Sequence, residues 1–242
     1  VAATGTGKTM VAAFDYQQIR KFIPNPSLLF VAHRREILAQ SVAAYRALLK
    51  DHQFGQMLVD GQKPTDYRHV FVSVQSLAQI PLDEIKPDAY DVVVIDEFHH
   101  AAAPSYRRLL NYFEPRFLLG LTATPDRSDQ SDILSLCDDN LVYTCNLFSG
   151  IESGLLSPFH YYGIFDESVN YAEIPWRNGR FDPDSLSNKL ATLGRARHAL
   201  KEWRRLKQRR TLAFCVSIKH AEFMAEQFSK AGVAAKAVYG GS

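Results

Sequence analysis

Four apolar runs of strand length, separated by helix-length stretches, constrain this chain more than any other feature. They lie at 27–32 (Ser-Leu-Leu-Phe-Val-Ala), 69–74, 91–95 (Asp-Val-Val-Val-Ile) and 117–121 (Phe-Leu-Leu-Gly-Leu). Strands that are hydrophobic throughout, rather than at alternate positions, belong to parallel sheets covered on both faces, with helices serving as the crossovers. The clearest helix is 34–50, where Ile37, Leu38, Val42, Tyr45, Leu48 and Leu49 fall on one face. The expected architecture over 1–150 is therefore an α/β doubly wound lobe, a parallel sheet with helices on both faces.

After Gly150 the texture changes. Pro158, Pro175, Pro183 and the pair Asn178-Gly179 interrupt the rhythm, as a connector would. A connector with a strand and an amphipathic helix is expected over 151–207, the helix running 184–206 with Leu186, Leu190, Leu193, Leu200, Trp203 and Leu206 on its apolar stripe. A strand at 211–216, a helix at 218–231 and a strand at 233–239 then restart the α/β pattern, so 208–242 is expected to open a second lobe.

Composition excludes some classes and is silent on others. With 46% hydrophobic and 22% charged residues the chain is an ordinary globular one, and no apolar run approaches the roughly 18 residues that span a bilayer. Lys plus Arg number 28 against 26 for Asp plus Glu, so any nucleic-acid contact has to come from local clusters rather than net charge. Cys137, Cys145 and Cys215 form no C-x-x-C pair, which speaks against a disulfide framework or zinc ribbon and for a reducing, cytoplasmic setting. The chain starts at Val1 in what reads as a strand end and stops after Val238-Tyr239-Gly240-Gly241-Ser242. Both ends are expected to be truncated, and a targeting signal is not legible.

Three segments carry chemistry. The first is Ala2-Ala3-Thr4-Gly5-Thr6-Gly7-Lys8-Thr9, following strand-like Val1 and opening a helix through Arg20. It differs from G-x-x-x-x-G-K-[ST] only in Ala2 at the first position. Glycines let the backbone amides of Thr4, Gly5, Thr6 and Gly7 curl around phosphate oxygens, and the helix N-terminus adds partial positive charge. Lys8 supplies a point charge to the β and γ phosphates of ATP, and the Thr9 hydroxyl is suited to Mg²⁺. A glycine turn with a solvated lysine is the plainer alternative.

The second segment is Asp96-Glu97-Phe98-His99, after Val92-Val93-Val94-Ile95. A carboxylate at the C-terminal end of a parallel strand borders the ligand crevice, so Asp96 is the candidate Mg²⁺ holder and Glu97 the group that orients and deprotonates water. An acidic strand end also occurs as a simple helix cap. His99 and His100 suggest a metal site, but no H-E-x-x-H pattern accompanies them, and His99 better fits nucleotide sensing or coupling between segments. The third segment is Thr122-Ala123-Thr124-Pro125, where Thr122 and Thr124 can bridge the carboxylates to a moving part; such a turn is also common as plain structure. The basic run from Lys201 to Arg210 could grip phosphates or form the solvated face of a helix.

Taken in order, A-x-x-G-x-G-K-T, V-A-H-R-R-E-I, V-S-V-Q-S-L, V-I-D-E-F-H-H, G-L-T-A-T-P and F-C-V-S resemble motifs I, Ia, Ib, II, III and IV of superfamily II DEAD/DEAH-box helicases. The stretches D-E-F-H-H-A-A-A-P-S-Y-R-R-L-L and G-L-L-S-P-F-H-Y-Y-G-I are similar to bacterial helicases related to restriction-enzyme subunits (ResIII-like), some of which carry a phospholipase D-like nuclease domain. No such domain lies in these residues. The resemblance implies a RecA-like P-loop NTPase lobe followed by the start of a second, and an enzyme that uses ATP and Mg²⁺ to move on nucleic acid, DNA rather than RNA. It implies that Lys8 and Thr9 grip Mg-ATP, Asp96 holds Mg²⁺, Glu97 activates water, and His99 with Thr122 and Thr124 couples hydrolysis to movement. His33, Arg34 and Arg35, Ser73 and Gln75, and Ser217 in the second lobe would touch nucleic acid. For Arg34 and Arg35 a solvated helix start is the alternative. The family's upstream adenine element and its motifs V and VI, with an arginine finger worth about 10³–10⁵ in rate, have no match here, so weak hydrolysis by these residues alone is expected. Two rivals remain, a P-loop kinase of a small metabolite and a nucleic-acid-binding scaffold with a relic ATP site.

Overall fold

The computed structural model describes residues 1–101, 103–123, 131–166, 168–177 and 179–240, and divides into two compact units, Val1–Phe159 and His160–Ser242. The first contains α1 (Lys8–Ile19), β1 (Leu28–Ala32), α2 (Arg35–Leu49), β2 (Gln56–Leu58), β3 (His69–Ser73), α3 (Val74–Ala78), β4 (Val92–Asp96), α4 (Pro104–Tyr112), β5 (Phe117–Leu121), α5 (Ser131–Leu134) and α6 (Leu147–Glu152). The five strands form one sheet in the order β2-β3-β1-β4-β5, and every pairing is parallel.

Why the central strands are apolar at every position is visible in their packing. Side chains alternate across a strand, so Leu28, Phe30 and Ala32 of β1 join α1 and α2 residues Ala13, Tyr16, Leu38 and Tyr45 on one face. Leu29 and Val31 join Val93, Ile95, Leu77 of α3 and Tyr106 and Leu109 of α4 on the other. Both faces are covered, and all five residues of β1 and of β4 are buried. The amphipathic helix expected over 34–50 is α2, and the four expected strands are β1, β3, β4 and β5.

Short main-chain links extend the sheet beyond β5. Ala2 N–H donates to Thr122 O at 2.8 Å, Cys145 N–H donates to Val1 O at 2.9 Å, and Ala3 N–H donates to Cys145 O at 2.9 Å. Val1–Ala3 thus lies between the tip of β5 and Cys145, in parallel alignment with the latter.

The second unit contains a two-residue hairpin, β6 (Trp176–Arg177) with β7 (Arg180–Phe181), then α7 (Pro183–Leu190), α8 (Leu193–Leu206) and α9 (Ile218–Lys230). Three sequence expectations are corrected here. The helix of 184–206 is two helices, because Thr192 is extended and its side chain caps the N-terminus of α8 by accepting from Arg195 N–H; Asp182 caps α7 in the same way. Where an irregular break is expected, Trp176 pairs with Phe181 and Arg177 with Arg180 in an antiparallel hairpin; Asn178 itself lies outside the described residues. Finally, 211–216 and 233–239 form no strand: a strand needs a hydrogen-bonded neighbour, none of the described residues supplies one, and Leu212, Phe214 and Val238 are 77%, 92% and 78% exposed.

Candidate functional site

Residues 2–9 leave the sheet edge and turn into α1 through two left-handed glycines, Gly5 at φ 89° and Gly7 at φ 87°. Gly7 occupies the N-cap position and no side chain caps the helix, so the first N–H groups of α1 are left for an external acceptor. The loop is braced from within: Thr6 Oγ1 donates to Ala3 O at 2.7 Å and Lys8 Nζ donates to Ala2 O at 3.0 Å. Leu156, close to Gly5 and Gly150, leaves little room beside the turn; a Cβ on Gly5 would lie 3.2 Å from it. Thr4 is exposed, and Thr9 is half-buried in the first turn of α1.

Asp96 ends β4 with 7% exposure. Burial pushes its carboxyl above the usual carboxylate range, and the charge of Glu97 adds to this; the Glu97 N–H, which donates to Asp96 Oδ1 at 3.0 Å, and the charges of Lys8 and His33 oppose it. A buried carboxylate held above its ordinary pKa is stabilised by a cation. Glu97 adopts φ 54°, a left-handed conformation that is uncommon for a residue with a side chain and concentrates at functional sites. The turn brings Glu97 Oε2 to 3.2 Å from His99 Nδ1, which also lies 3.1 Å from Thr122 Oγ1.

These contacts draw the sequence candidates together. Lys8 meets Ala2, Ala2 meets Thr122, Thr122 meets His99 and His99 meets Glu97, while Asp96 lies within electrostatic reach of Lys8. The uncapped helix, the ammonium and the buried carboxylate together fit a magnesium triphosphate: Thr9 and Asp96 would hold the cation, and Lys8 with the loop amides would hold the phosphates. Thr124 lies outside the described residues.

A polar cavity of about 390 Å³ opens beyond the end of β1, lined by His33, Arg34, Arg35, Glu36, Asp60, Ser73 and Gln75 among others. It unites five of the six residues singled out for nucleic acid. Within it Ser73 is only 4% exposed, and its hydroxyl caps α3 by accepting from Ser76 N–H. Gln75 is exposed. Arg35 pairs with Asp60 at 3.5 Å. Ser217, the sixth, belongs to the second unit, where its side chain caps α9 and lies 2.7 Å from Ser187 Oγ. The basic run is partly engaged there: Arg205 pairs with Glu202, Lys207 lies over the Trp203 ring, and Arg204 donates to Ala231 O. A cavity of about 590 Å³ in this unit is lined by Asp166, Arg195 and Trp203 among others, with Lys207 and Arg210 of the basic run on its wall. Sequence reasoning missed Asp60, Leu156 and the neighbours of His100, whose ring lies 4.1 Å from that of His99 and 6.1 Å from that of His33. Only the adjacency of His99 and His100 signalled any of this.

A parallel sheet with a lysine-bearing glycine turn at one strand end and an acidic pair at another is a RecA-like P-loop lobe. The comparisons agree. The family model described as "Type III restriction enzyme, res subunit" matches residues 1–127, more than half the chain, and the chain belongs to that ResIII-like family of superfamily II helicases. It is 27% identical to irc3 of Schizosaccharomyces pombe, assigned as a mitochondrial ATP-dependent helicase, over 98% of this chain and 40% of that protein. It is 30% identical to the Escherichia coli type I restriction enzyme EcoAI endonuclease subunit over 66% of this chain and 20% of that protein. Among solved structures, a fragment assigned to the HsdR subunit of a type I restriction enzyme from Vibrio vulnificus YJ016 matches at TM-score 0.61 and 25% identity, covering 96% of this chain and 41% of that one. The Hef helicase domain of Pyrococcus furiosus shares the fold at TM-score 0.52 and 16% identity, over 95% of this chain and 48% of that one. The chain therefore spans two fifths or less of the length of these two curated relatives.

Proposed function

We propose that these residues form the ATP-binding lobe, and the opening of a second lobe, of a motor that couples Mg-ATP hydrolysis to movement on nucleic acid, DNA in preference to RNA. What carries the reading is the meeting of Lys8, Asp96, Glu97, His99 and Thr122 at adjoining ends of one sheet. Phosphoryl transfer needs positioning and charge stabilisation more than covalent chemistry. Lys8 and the amides of Gly5 and Gly7 hold the phosphates. Bound Mg²⁺ supplies charge neutralisation, with Thr9 and Asp96 as its holders. Glu97 accepts the proton of the attacking water, and His99 keeps its carboxylate in place. Thr122 and Thr124 carry the change in this site to the rest of the lobe.

The choice of DNA is supported by the restriction-enzyme relative and the family description; His33, Arg34, Arg35 and Gln75 are the proposed contacts, with Ser73 shaping the pocket and Ser217 contributing from the second lobe. We assign 1–150 to the first lobe, 151–207 to the connector and 208–242 to the second lobe's beginning, and place the protein in the cytoplasm, where its free cysteines stay reduced. Among the described residues no helix is long and apolar enough to cross a membrane. Residues 1–242 by themselves are expected to turn over ATP poorly. The deciding experiment measures ATP hydrolysis and strand displacement by the full-length protein with DNA and RNA oligonucleotides. Stimulation by DNA that disappears in Glu97→Gln supports the motor; hydrolysis indifferent to nucleic acid but raised by a small metabolite would replace it with a kinase.

A further inference from the structure

His33 stands where the two halves of the site meet. It follows the last residue of β1, lines the polar cavity, and its Nε2 accepts a hydrogen bond from Arg34 Nε at 3.1 Å. An imidazole that accepts at Nε2 carries its proton at Nδ1 when neutral. That Nδ1 is buried and has no hydrogen-bond partner among the described residues. A buried donor without an acceptor is expensive and points to a second arrangement in which it is satisfied. The surroundings offer one. The His33 ring meets His100 edge-on, at 6.1 Å between centroids and 69° between planes. His100 in turn lies 4.1 Å from His99, whose Nδ1 is 3.2 Å from Glu97 Oε2. Three imidazoles thus run from the cavity to the catalytic turn in consecutive contact.

We propose that His33 is a positioning residue that reports nucleic-acid phosphate in the cavity to the Asp96–Glu97 turn. With the cavity empty, Arg34 holds the ring by its Nε bond. A phosphate that engages Arg34 withdraws that bond, and the ring swings so that Nδ1–H finds an acceptor on the acidic turn and His100 shifts against His99. The ring has two hydrogen-bonding states, and each site biases them, which is the physical requirement for coupling. This inference rests on the cavity taking nucleic-acid phosphate, as proposed above.

The test uses the full-length protein and a single-stranded DNA oligonucleotide. His33→Gln keeps an acceptor near the Nε2 position but no donor at Nδ1; His33→Asn keeps the donor but not the acceptor. ATP turnover is measured for each with and without DNA, together with the DNA concentration giving half-maximal rate. The expected result is that His33→Gln loses about tenfold of its DNA stimulation factor at saturating DNA, with half-saturation shifted less than about twofold, and that His33→Asn retains more stimulation than His33→Gln. His100→Ala, at an exposed position that does not endanger folding, is expected to lose stimulation in parallel. A normal stimulation factor in His33→Gln or in His100→Ala overturns the relay while leaving the motor intact. So does a loss that more DNA restores, which would make His33 a simple phosphate contact. Wild-type protein that DNA does not stimulate overturns both this inference and the function beneath it.

Discussion

His99 Nδ1 lies 3.1 Å from the Thr122 hydroxyl, which ties the acidic turn after β4 to the tip of β5 by side chains. A contact between two strand ends transmits displacement only if both partners are present, so removing the hydroxyl should uncouple more than it disables. In Thr122→Val the full-length protein should keep DNA-stimulated hydrolysis within about threefold while strand displacement per ATP falls about tenfold, the size of a lost coupling contact. Parallel assays of phosphate release and displacement check this. Equal losses in both would assign Thr122 to the chemistry instead.

Lys8 and Glu97 should separate in their kinetic signatures. Lys8→Ala removes charge from bound nucleotide and transition state alike, so KM for ATP should rise and kcat fall about 10²–10³-fold. Glu97→Gln keeps the shape of the turn and leaves ATP binding intact, with kcat down about 10²–10⁴-fold. Nucleotide affinity by calorimetry, alongside steady-state rates, distinguishes them.

Gly120 of β5 has no space for a side chain. A Cβ there would come within 2.6 Å of Phe98 Cγ, in a ring only 4% exposed that anchors the acidic turn. Gly120→Ala should destabilise the first unit by about 1–3 kcal/mol through overpacking, seen as a lower denaturation midpoint. Adding Phe98→Leu should restore part of that stability.

Stability should also fall in mild acid. His69 stacks on Phe54 with ring centroids 4.4 Å apart, and burial holds its pKa below the ordinary histidine value of 6.5, with the Pro26 carbonyl opposing. Above pH 6.5 both folded and unfolded chains carry it neutral and its contribution is intact. As pH falls through 6.5 toward the lower folded value, the unfolded chain takes up the proton first and stability is lost. His220 in the second unit is shifted the same way by burial. The thermal midpoint should drop between about pH 7 and pH 5, and His69→Phe should flatten that slope. A slope unchanged in the variant would remove His69 from the account.

The first lobe was legible because its central strands β1 and β4 are buried on both faces, which writes Leu28 to Ala32 and Val92 to Ile95 as unbroken apolar runs. Strand β2 was not, since Gln56, Met57 and Leu58 form a three-residue edge strand with one side chain buried, too short for any period to register. The break at Thr192 hid because Leu190 and Leu193 keep helical spacing across it. In the site, glycines and acids advertise themselves by type and order. The opposition of Arg35 and Asp60, the closeness of Leu156 to Gly5, and the ring contacts of His33 depend on where chain segments meet, and no local pattern encodes them.

The main chain of Ala2 faces two ways: its N–H donates to Thr122 O and its C=O accepts from Lys8 Nζ. The wire between β5 and the phosphate turn is thus main chain at its midpoint. Alanine scanning is blind to it, because position 2 already carries alanine and every replacement but one preserves the N–H. Only Ala2→Pro severs it, so tolerance to mutation at this position would be no evidence of unimportance.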